Sequence, residues 1–204
     1  MDTSKMHSRT SNSRRRWQQN GASLIMVMLI LVVVSLLGIG GAQIAIMSER
    51  GARSDRDQQV AWQAAEAALS DAEFDLFDAT GTRRAAVPFD GKTPFTTVSG
   101  CGTSGTSIGL CALNLTGHPA WLDADYTDTS TNAPTTQFGT FTNRTFAAGG
   151  AGVQPARAPR YVMEMLVDPT SGDKSNPDYL YRVTAVGFGP RVDIQVMMQI
   201  LYRI

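Results

Sequence analysis

The chain has few of the residue types on which most metal sites and catalytic centres depend. Its 204 residues include two histidines, His7 and His118, and two cysteines, Cys101 and Cys111. His118 has no activated Ser or Cys beside it in sequence for which it could act as a general base. The sequence contains no phosphate-binding glycine loop, paired-histidine motif or cofactor fingerprint. We therefore expect no catalytic residue, no metal, no cofactor and no small-molecule substrate.

Net charge is also absent, since 18 basic side chains balance 18 acidic ones. The balance hides an asymmetry, because residues 1–21 hold five bases and a single acid, Asp2. Removing that segment leaves 13 basic and 17 acidic side chains. A negatively charged body gives no electrostatic reason to bind nucleic acid. The basic N-terminus is better explained as a topological signal, because Lys and Arg beside a membrane span hold that end in the cytoplasm.

An uncharged segment follows the basic N-terminus and extends from Gly21 to Met47. About 20 apolar residues in a helix span the roughly 30 Å core of a bilayer, so the segment is long enough to cross a membrane. The apolar region of a secretory signal is shorter, at about 7–15 residues, although residues 38–42 (GIGGA) offer the small side chains that a signal peptidase needs. From the residues alone the segment is a discarded signal, a retained anchor, or a segment that is both cut and kept.

Residues 43–79 favour a helix that continues the apolar segment, since they contain no proline, one glycine and many good helix formers. Six residues recur at intervals of four and three, which predicts one apolar stripe of an amphipathic helix: Gln58, Trp62, Ala65, Leu69, Ala72 and Leu76. Of these, Trp62, Ala65, Leu69 and Leu76 are predicted to pack on a sheet of the same chain. The acidic residues Asp57, Asp71, Asp75 and Asp78 fall away from this face. We predict a continuous helix from about Ala22 to Ala79, with Gly81 just past its end.

The remainder of the chain predicts loops followed by strands. Residues 81–158 are rich in Gly, Thr, Ser, Pro and Asn and have no long periodic segment. Residues 160–167, 180–187 and 191–203 predict strands, the last with its apolar side chains on one face (Val192, Ile194, Val196, Met198, Ile200 and Tyr202). One apolar face of a three- or four-stranded antiparallel sheet would cover the helix stripe. The fold class is therefore α+β, a long N-terminal helix packed on a small antiparallel sheet.

Two local features leave alternatives open. Cys101 and Cys111 fit a small disulfide loop if the downstream chain lies in an oxidising compartment, but two free thiols or half of a metal site also fit. The acidic loops at residues 122–128 and 168–178 could offer oxygens to Ca²⁺, although neither has the spacing of a known calcium loop. Solvated acidic loops are the simpler interpretation.

Several segments together resemble the PilX-type minor pilins of type IV pili. These are the basic leader ending in Gly21, the apolar helix from Ala22, and residues 48–73 (SERGARSDRDQQVAWQAAEAALSDAE). Within that last segment, the pairs Glu49-Arg50 and Asp55-Arg56 and the stretch from Trp62 to Leu69 look like the family's pattern. Residues 181–203 (YRVTAVGFGPRVDIQVMMQILYR) look like its closing hairpin. The middle of the chain is unmatched.

The resemblance implies that the N-terminal segment is both cut and kept. In pilins a membrane-embedded peptidase cleaves after the glycine and methylates the new N-terminus, which here are Gly21 and Ala22. One departure is that the fifth mature residue is Met26, where most filament-forming pilins carry a glutamate that neutralises a neighbouring subunit's N-terminal amine. A subunit without that carboxylate is a better candidate for a filament tip or initiating position than for the shaft.

The implied role is non-enzymatic: a minor pilin that helps to initiate or cap pilus assembly. The implied partners are other minor pilins, a tip adhesin, the inner-membrane assembly platform and the prepilin peptidase. The protein would cross the bacterial inner membrane once and reach the pilus tip after assembly, with roles in adhesion and twitching motility. The expected divisions are a cleaved cytoplasmic leader (1–21), a membrane and filament-core helix (22–47), its amphipathic half (48–80), and a periplasmic domain (81–204) whose strands occupy 159–204.

Two other functions fit parts of the pattern. A minor pseudopilin of a type II secretion system shares the same N-terminal features, but one that lacks the glutamate usually has a larger body. A plain membrane-anchored periplasmic protein would use the apolar segment only as an anchor and would not be cut at Gly21.

Overall fold

A computed structural model describes residues 22–78, 81–95, 100–112, 117–150 and 152–204. Its elements are the helices α1 (Ala22–Phe77) and α2 (Ala120–Asp123), a short 3-10 helix (Gly105–Ser107), and the strands β1 (Leu110–Cys111), β2 (Thr136–Gln137), β3 (Arg160–Val167), β4 (Tyr179–Phe188) and β5 (Gln195–Arg203). The chain divides into two compact units, residues 1–50 and 51–204.

The described part of the first unit consists of α1 from Ala22 to Arg50. Its apolar side chains are exposed all round within this unit, from Leu24 to Met47. By length and composition α1 contains one segment able to cross a membrane, with a mean hydropathy of 2.8. A helix that is apolar on every side requires lipid or other apolar helices around it.

The second unit is an α+β domain in which α1 packs on the sheet from about Asp57 to Leu76. The sheet order is β1-β3-β4-β5, and β2 also pairs with β3. The β3/β4 and β4/β5 pairs are antiparallel, as predicted, and so is the β2/β3 pair. The β1/β3 pair is parallel, with Leu110 opposite Met163, so the sheet is mixed rather than purely antiparallel. A two-residue strand such as β1 carries too little pattern to predict.

The last strand begins later than its alternation predicted. β5 starts at Gln195 instead of Arg191, because the Gly189 N–H donates to the Ile194 carbonyl and the Ile194 N–H to the Arg191 carbonyl, which makes residues 190–193 a turn. The alternation itself is present: Val196, Met198 and Tyr202 are half-buried, whereas their neighbours along the strand are exposed. Ile200 is the exception on the predicted apolar face, since 39% of it is exposed.

Apolar side chains fill both faces of the sheet. The larger cluster lies between the sheet and α1 and includes Ala68, Ala72, Leu76, Phe89, Leu110, Tyr161, Met163, Met165, Tyr181, Val183 and Ala185. The smaller cluster lies on the opposite face and includes Cys111, Ala120, Tyr126, Val162, Val186 and Phe188. The loop-rich region therefore supplies core residues to both faces, although its regular elements are short.

Candidate functional site

The predicted processing site lies at the start of the described chain. Gly21 falls outside the described residues, and Ala22 is the first residue of α1. Met26 lies in the first turns of the helix with 70% of its surface exposed. Position 26 thus presents a thioether on a helix surface that carries no charge.

Three glycines interrupt the side-chain surface of the apolar segment without breaking the helix. Gly38, Gly40 and Gly41 all lie within α1, and a Cβ added at any of them would meet no atom within 4 Å. Small residues of this kind let another helix backbone approach closely in an apolar environment. The helix therefore has a patch without side chains in the second half of its apolar segment.

Small residues also define where the second half of α1 meets the sheet. Ala61, Ala64, Ala65, Ala68 and Ala72 are fully or almost fully buried. Their partner is Gly187 on β4: a Cβ placed there would overlap the Ala61 carbonyl oxygen and the Ala65 nitrogen, and would lie 2.9 Å from the Ala64 carbonyl carbon. The backbones of the helix and of β4 are therefore in contact at this point, which requires glycine at position 187 of the strand and small residues on the facing side of the helix.

The predicted packing stripe is correct only in part. The structure buries Ala65 and Leu76 fully and Leu69 partly against the helix-side core. Trp62 does not pack into this core: half of it, 51%, is exposed, and its indole N–H donates to the Glu66 carboxylate at 2.8 Å. The physical reason is size, since the backbone contact at Gly187 leaves no room for an indole and turns the alanine face of the helix towards the sheet.

The prediction that Asp71 and Asp75 fall away from the buried face was wrong. Both are completely buried. Asp75 forms an ion pair with Arg83 at 3.0 Å and accepts a hydrogen bond from the Tyr161 hydroxyl at 2.9 Å. These partners come from the loop after α1 and from β3, so helix periodicity alone could not reveal them.

Arg83 is the largest fully buried side chain in the described part of the protein. Besides Asp75, its guanidinium donates to the Ile108 carbonyl at 2.6 Å and to the Thr136 hydroxyl at 3.0 Å. It also lies 3.6 Å from the centre of the Phe141 ring, a cation–π geometry. Burial raises the pKa of Asp75, and the Arg83 charge offsets part of that rise. One buried cation thus connects α1 to Ile108, to strand β2 and to Phe141.

Asp71 performs a similar function one turn earlier. Its carboxylate accepts hydrogen bonds from the Gly139 N–H at 2.7 Å and from the Thr142 hydroxyl. Arg144 lies 3.6 Å from the same carboxylate and its guanidinium is 4.6 Å from the Phe74 ring centre. The two buried aspartates therefore hold residues 139–144 and Arg83 against α1.

The two cysteines form a disulfide in the structure. The loop that it closes is also held by main-chain bonds, since Gly102 N–H donates to the Leu110 carbonyl at 2.9 Å and Ala112 N–H to the Gly100 carbonyl at 2.8 Å. Cys111 is buried in the smaller core cluster and is the last residue of β1. The loop therefore positions the short parallel strand against β3.

We expect that replacing both cysteines, Cys101→Ser with Cys111→Ser, will lower the free energy of unfolding by about 3 kcal/mol, because the unfolded chain regains the entropy that a closed loop of this length removes. Urea unfolding followed by circular dichroism measures the change. Reducing the wild-type protein with a thiol should give the same loss, whereas the reductant should not affect the double variant. An unchanged unfolding midpoint after reduction would contradict the prediction.

The acidic loops use their carboxylates locally. Asp125, Asp128, Asp168 and Asp173 each accept a hydrogen bond from the main-chain N–H two residues later. These contacts are the turns that Asp favours. Within the described ranges no three Asp, Glu, His or Cys side chains come together in an arrangement that could hold a metal ion. His118 lies 3.7 Å from Asp123 on an exposed surface.

The architecture defines a class of protein. A long N-terminal helix, apolar on all sides at first and then packed by one face on a small, largely antiparallel sheet, is the pilin-like α+β arrangement. Two family models match the chain: PilX N-terminal over residues 20–70, and Type IV pilus assembly protein PilX C-term over residues 90–204. The chain belongs to the PilX family of type IV pilus assembly proteins and is a minor pilin. No curated protein and no solved structure matched it.

Proposed function

We propose that this minor pilin is a non-enzymatic subunit that helps to initiate or cap the type IV pilus at its tip, together with other minor pilins and a tip adhesin. It is inserted in the inner membrane with its C-terminal domain in the periplasm, and prepilin peptidase cuts it after Gly21. The observation that carries the proposal is the combination of the family match with an N-terminal helix whose apolar surface is exposed throughout. Such a helix can exchange lipid contacts for contacts with other helices.

Met26 supports the terminal position in the filament. A carboxylate within an apolar environment is costly unless it is paired, so shaft subunits that carry one gain from a neighbour's N-terminal amine. Met26 is uncharged and cannot form this pair. A subunit with Met26 therefore fits a repeating shaft poorly. It fits better at a position with few pairings between a carboxylate and a neighbour's N-terminal amine, such as the first position assembled.

The disulfide supports the proposed compartment. Disulfides persist in oxidising environments such as the bacterial periplasm and are rare in the cytosol. Cys101 and Cys111 both lie in the unit formed by residues 51–204, after the apolar segment. The five basic residues before that segment favour the opposite orientation for the N-terminus.

Processing is the first expectation to test. Mass spectrometry of the membrane-extracted protein should find an N-terminus at Ala22 carrying one methyl group, and this form should disappear in cells that lack the prepilin peptidase. Gly21→Val should block processing, because the peptidase needs close access to the backbone at that residue. The neighbouring change Asn20→Ala should leave processing intact.

The role in the filament is read out in the same strains. Deleting the protein should abolish surface pili and twitching, and the wild type but not Gly21→Val should restore them. Immunogold labelling should mark pilus ends. Label spread along the shaft would contradict the tip position. An intact leader, or cleavage near Ala42, would contradict the pilin assignment of the N-terminus and favour a plain anchor, whereas normal processing with unaffected pili would favour a secretion system.

A further inference from the structure

Strand β5 forms one border of the sheet in the described part of the chain. It spans nine residues, Gln195–Arg203, and is paired without interruption to β4 on its inner side. Natural edge strands are usually protected by proline, lysine, a bulge or short length. β5 contains none of these, and its single charged residue is Arg203 at the end. The strand therefore presents a long, regular edge.

The register of the hairpin shows which main-chain groups point outwards. Gly189 donates its N–H to the Ile194 carbonyl at 2.8 Å, so these two residues form a hydrogen-bonded pair. Such pairs recur at every second position of an antiparallel ladder. The register then turns the main-chain groups of Val196, Met198, Ile200 and Tyr202 towards β4 and those of Gln195, Met197, Gln199, Leu201 and Arg203 outwards. A second chain segment could hydrogen-bond to the latter set.

Apolar side chains next to this edge are exposed on both faces of the sheet. On the face opposite α1, Met197 and Leu201 are 46% and 57% exposed. On the helix side, Ile200 and Trp62 are exposed, and Trp62 borders a groove that also involves Val196. A strand added to β5 would cover exposed side chains on both faces of the sheet. The alternating side chains of one extended segment can do this.

The charge of the α1 surface beside β5 indicates the chemistry of the segment. Glu66 and Glu73 lie on the exposed side of α1 next to β5, where Glu66 accepts the Trp62 indole N–H and Glu73 accepts the Tyr202 hydroxyl at 3.5 Å. Both donors are uncharged, and no salt bridge to either carboxylate occurs among the residues that the structure describes. Asp55 adds a third carboxylate at the end near Trp62. The helix side of the β5 edge therefore carries three carboxylates, of which Asp55 lines the groove and Glu66 and Glu73 contact Trp62 and Tyr202.

We propose that the outer edge of β5 binds an extended segment of a partner protein, which adds a strand to the sheet and carries apolar side chains together with Lys or Arg. The same charge argues against a second copy of this chain, because pairing β5 with β5 would bring two sets of these carboxylates together. The proposal deepens the pilus-assembly function by giving a surface for its partner contact. A binding experiment tests it without filaments, so its failure would leave the proposed role in assembly unaffected.

The probes are three nine-residue peptides with one shared pattern of Val, Ile and Thr. The first peptide carries three Lys and the second carries three Glu. The third carries three Lys and also N-methyl groups on successive main-chain nitrogens, so that neither edge of this peptide can donate main-chain hydrogen bonds. Binding to the full-length protein in detergent is measured by fluorescence anisotropy. The Lys peptide should bind at least about tenfold more tightly than either of the other two peptides. Removing one or two hydrogen bonds or ion pairs weakens binding by about this factor.

Two matched variants locate the site. Met197→Pro removes an outward N–H, a substitution that an edge strand tolerates, and should weaken the Lys peptide about tenfold, whereas Met197→Ala should retain most of the binding. Glu66→Gln with Glu73→Gln should abolish the preference for Lys over Glu. Unfolding curves check that each variant is folded. If a variant does not fold, the comparison of the three peptides on the wild-type protein still tests the proposal. Equal binding of all three peptides, or a β5-dependent dimer in sedimentation, would overturn the proposal.

Discussion

Arg83→Met is expected to lower the free energy of unfolding of residues 51–204 by about 3–5 kcal/mol, because it leaves the Asp75 carboxylate buried without its counter-ion. Both side chains of the pair are completely buried in the structure. The variant also removes the donors that satisfy the Ile108 carbonyl and the Thr136 hydroxyl. Urea unfolding of this compact unit gives the change directly.

A double variant separates the ion pair from the packing around it. Asp75→Leu with Arg83→Met replaces both charges by apolar side chains and should recover much of the lost stability, since a buried pair exchanged for apolar groups is often neutral. In this pair the Asp75 Oδ1 and Arg83 Nε atoms make no hydrogen bond to the described residues, so the charges are not fully satisfied. A double variant that is as unstable as Arg83→Met would contradict this account.

The pH dependence of Arg83→Met has a definite sign. Burial already raises the pKa of Asp75 above its ordinary value of 3.8, and Arg83 is the main group that opposes the rise. A carboxyl whose pKa is raised in the folded state contributes its full stability below the unfolded pKa and loses it as pH rises through the folded pKa. Without Arg83 the pKa rises further, so the stability difference from wild type should grow as pH increases from about 4 to about 7. A constant difference would exclude ionised Asp75 as the cause.

Gly187→Ala is expected to destabilise the same unit by about 3 kcal/mol or more, because one added methyl group forces backbone apart from backbone. The added Cβ would meet main-chain atoms of Ala61, Ala64 and Ala65, which cannot rotate away as a side chain can. The helix must move off the sheet, and the alanine contacts along it are lost together. Thermal or urea unfolding measures the effect.

Gly172→Ala is the matched control for this substitution. No atom lies within 4 Å of a Cβ added at Gly172, so the same chemical change should alter stability by only about 0.5 kcal/mol or less. Near-equal effects of the two substitutions would show that glycine flexibility, and not the close approach of α1 to β4, determines the result at Gly187.

The long elements were predictable because their patterns are local. The helix was expected from about Ala22 to Ala79 and extends from Ala22 to Phe77, and β3 occupies residues 160–167 as predicted. Hydrophobic length and side-chain alternation are properties of consecutive residues. The start of β5 was missed by four residues because the turn before it continues the same alternation, from Arg191 to Ile194, without strand pairing.

The interior of the helix–sheet contact could not be predicted in the same way. Helix periodicity placed Trp62 on the buried face and Asp75 on the exposed one, and the structure reverses both. Tyr161, which hydrogen-bonds to Asp75, lies 86 residues away in the sequence. The neighbouring buried alanines are a signal that was present, because a run of small residues on a helix permits close packing that a Trp prevents.

The helix α1 is synthesised before the strands that cover its buried face, and this sets the order in which the domain can fold. A chain emerges from its N-terminus, so the alanine face of α1 and its two aspartates are produced first and stay uncovered until β3 and β4 follow. The strands β3, β4 and β5 are consecutive and can pair as hairpins as soon as they appear. A chain that stops before Tyr179 has neither β4 nor Gly187, and the helix has no complete surface on which to dock. We therefore expect premature termination to leave an open, protease-sensitive product, because the helix then lacks the strand against which its alanine face packs.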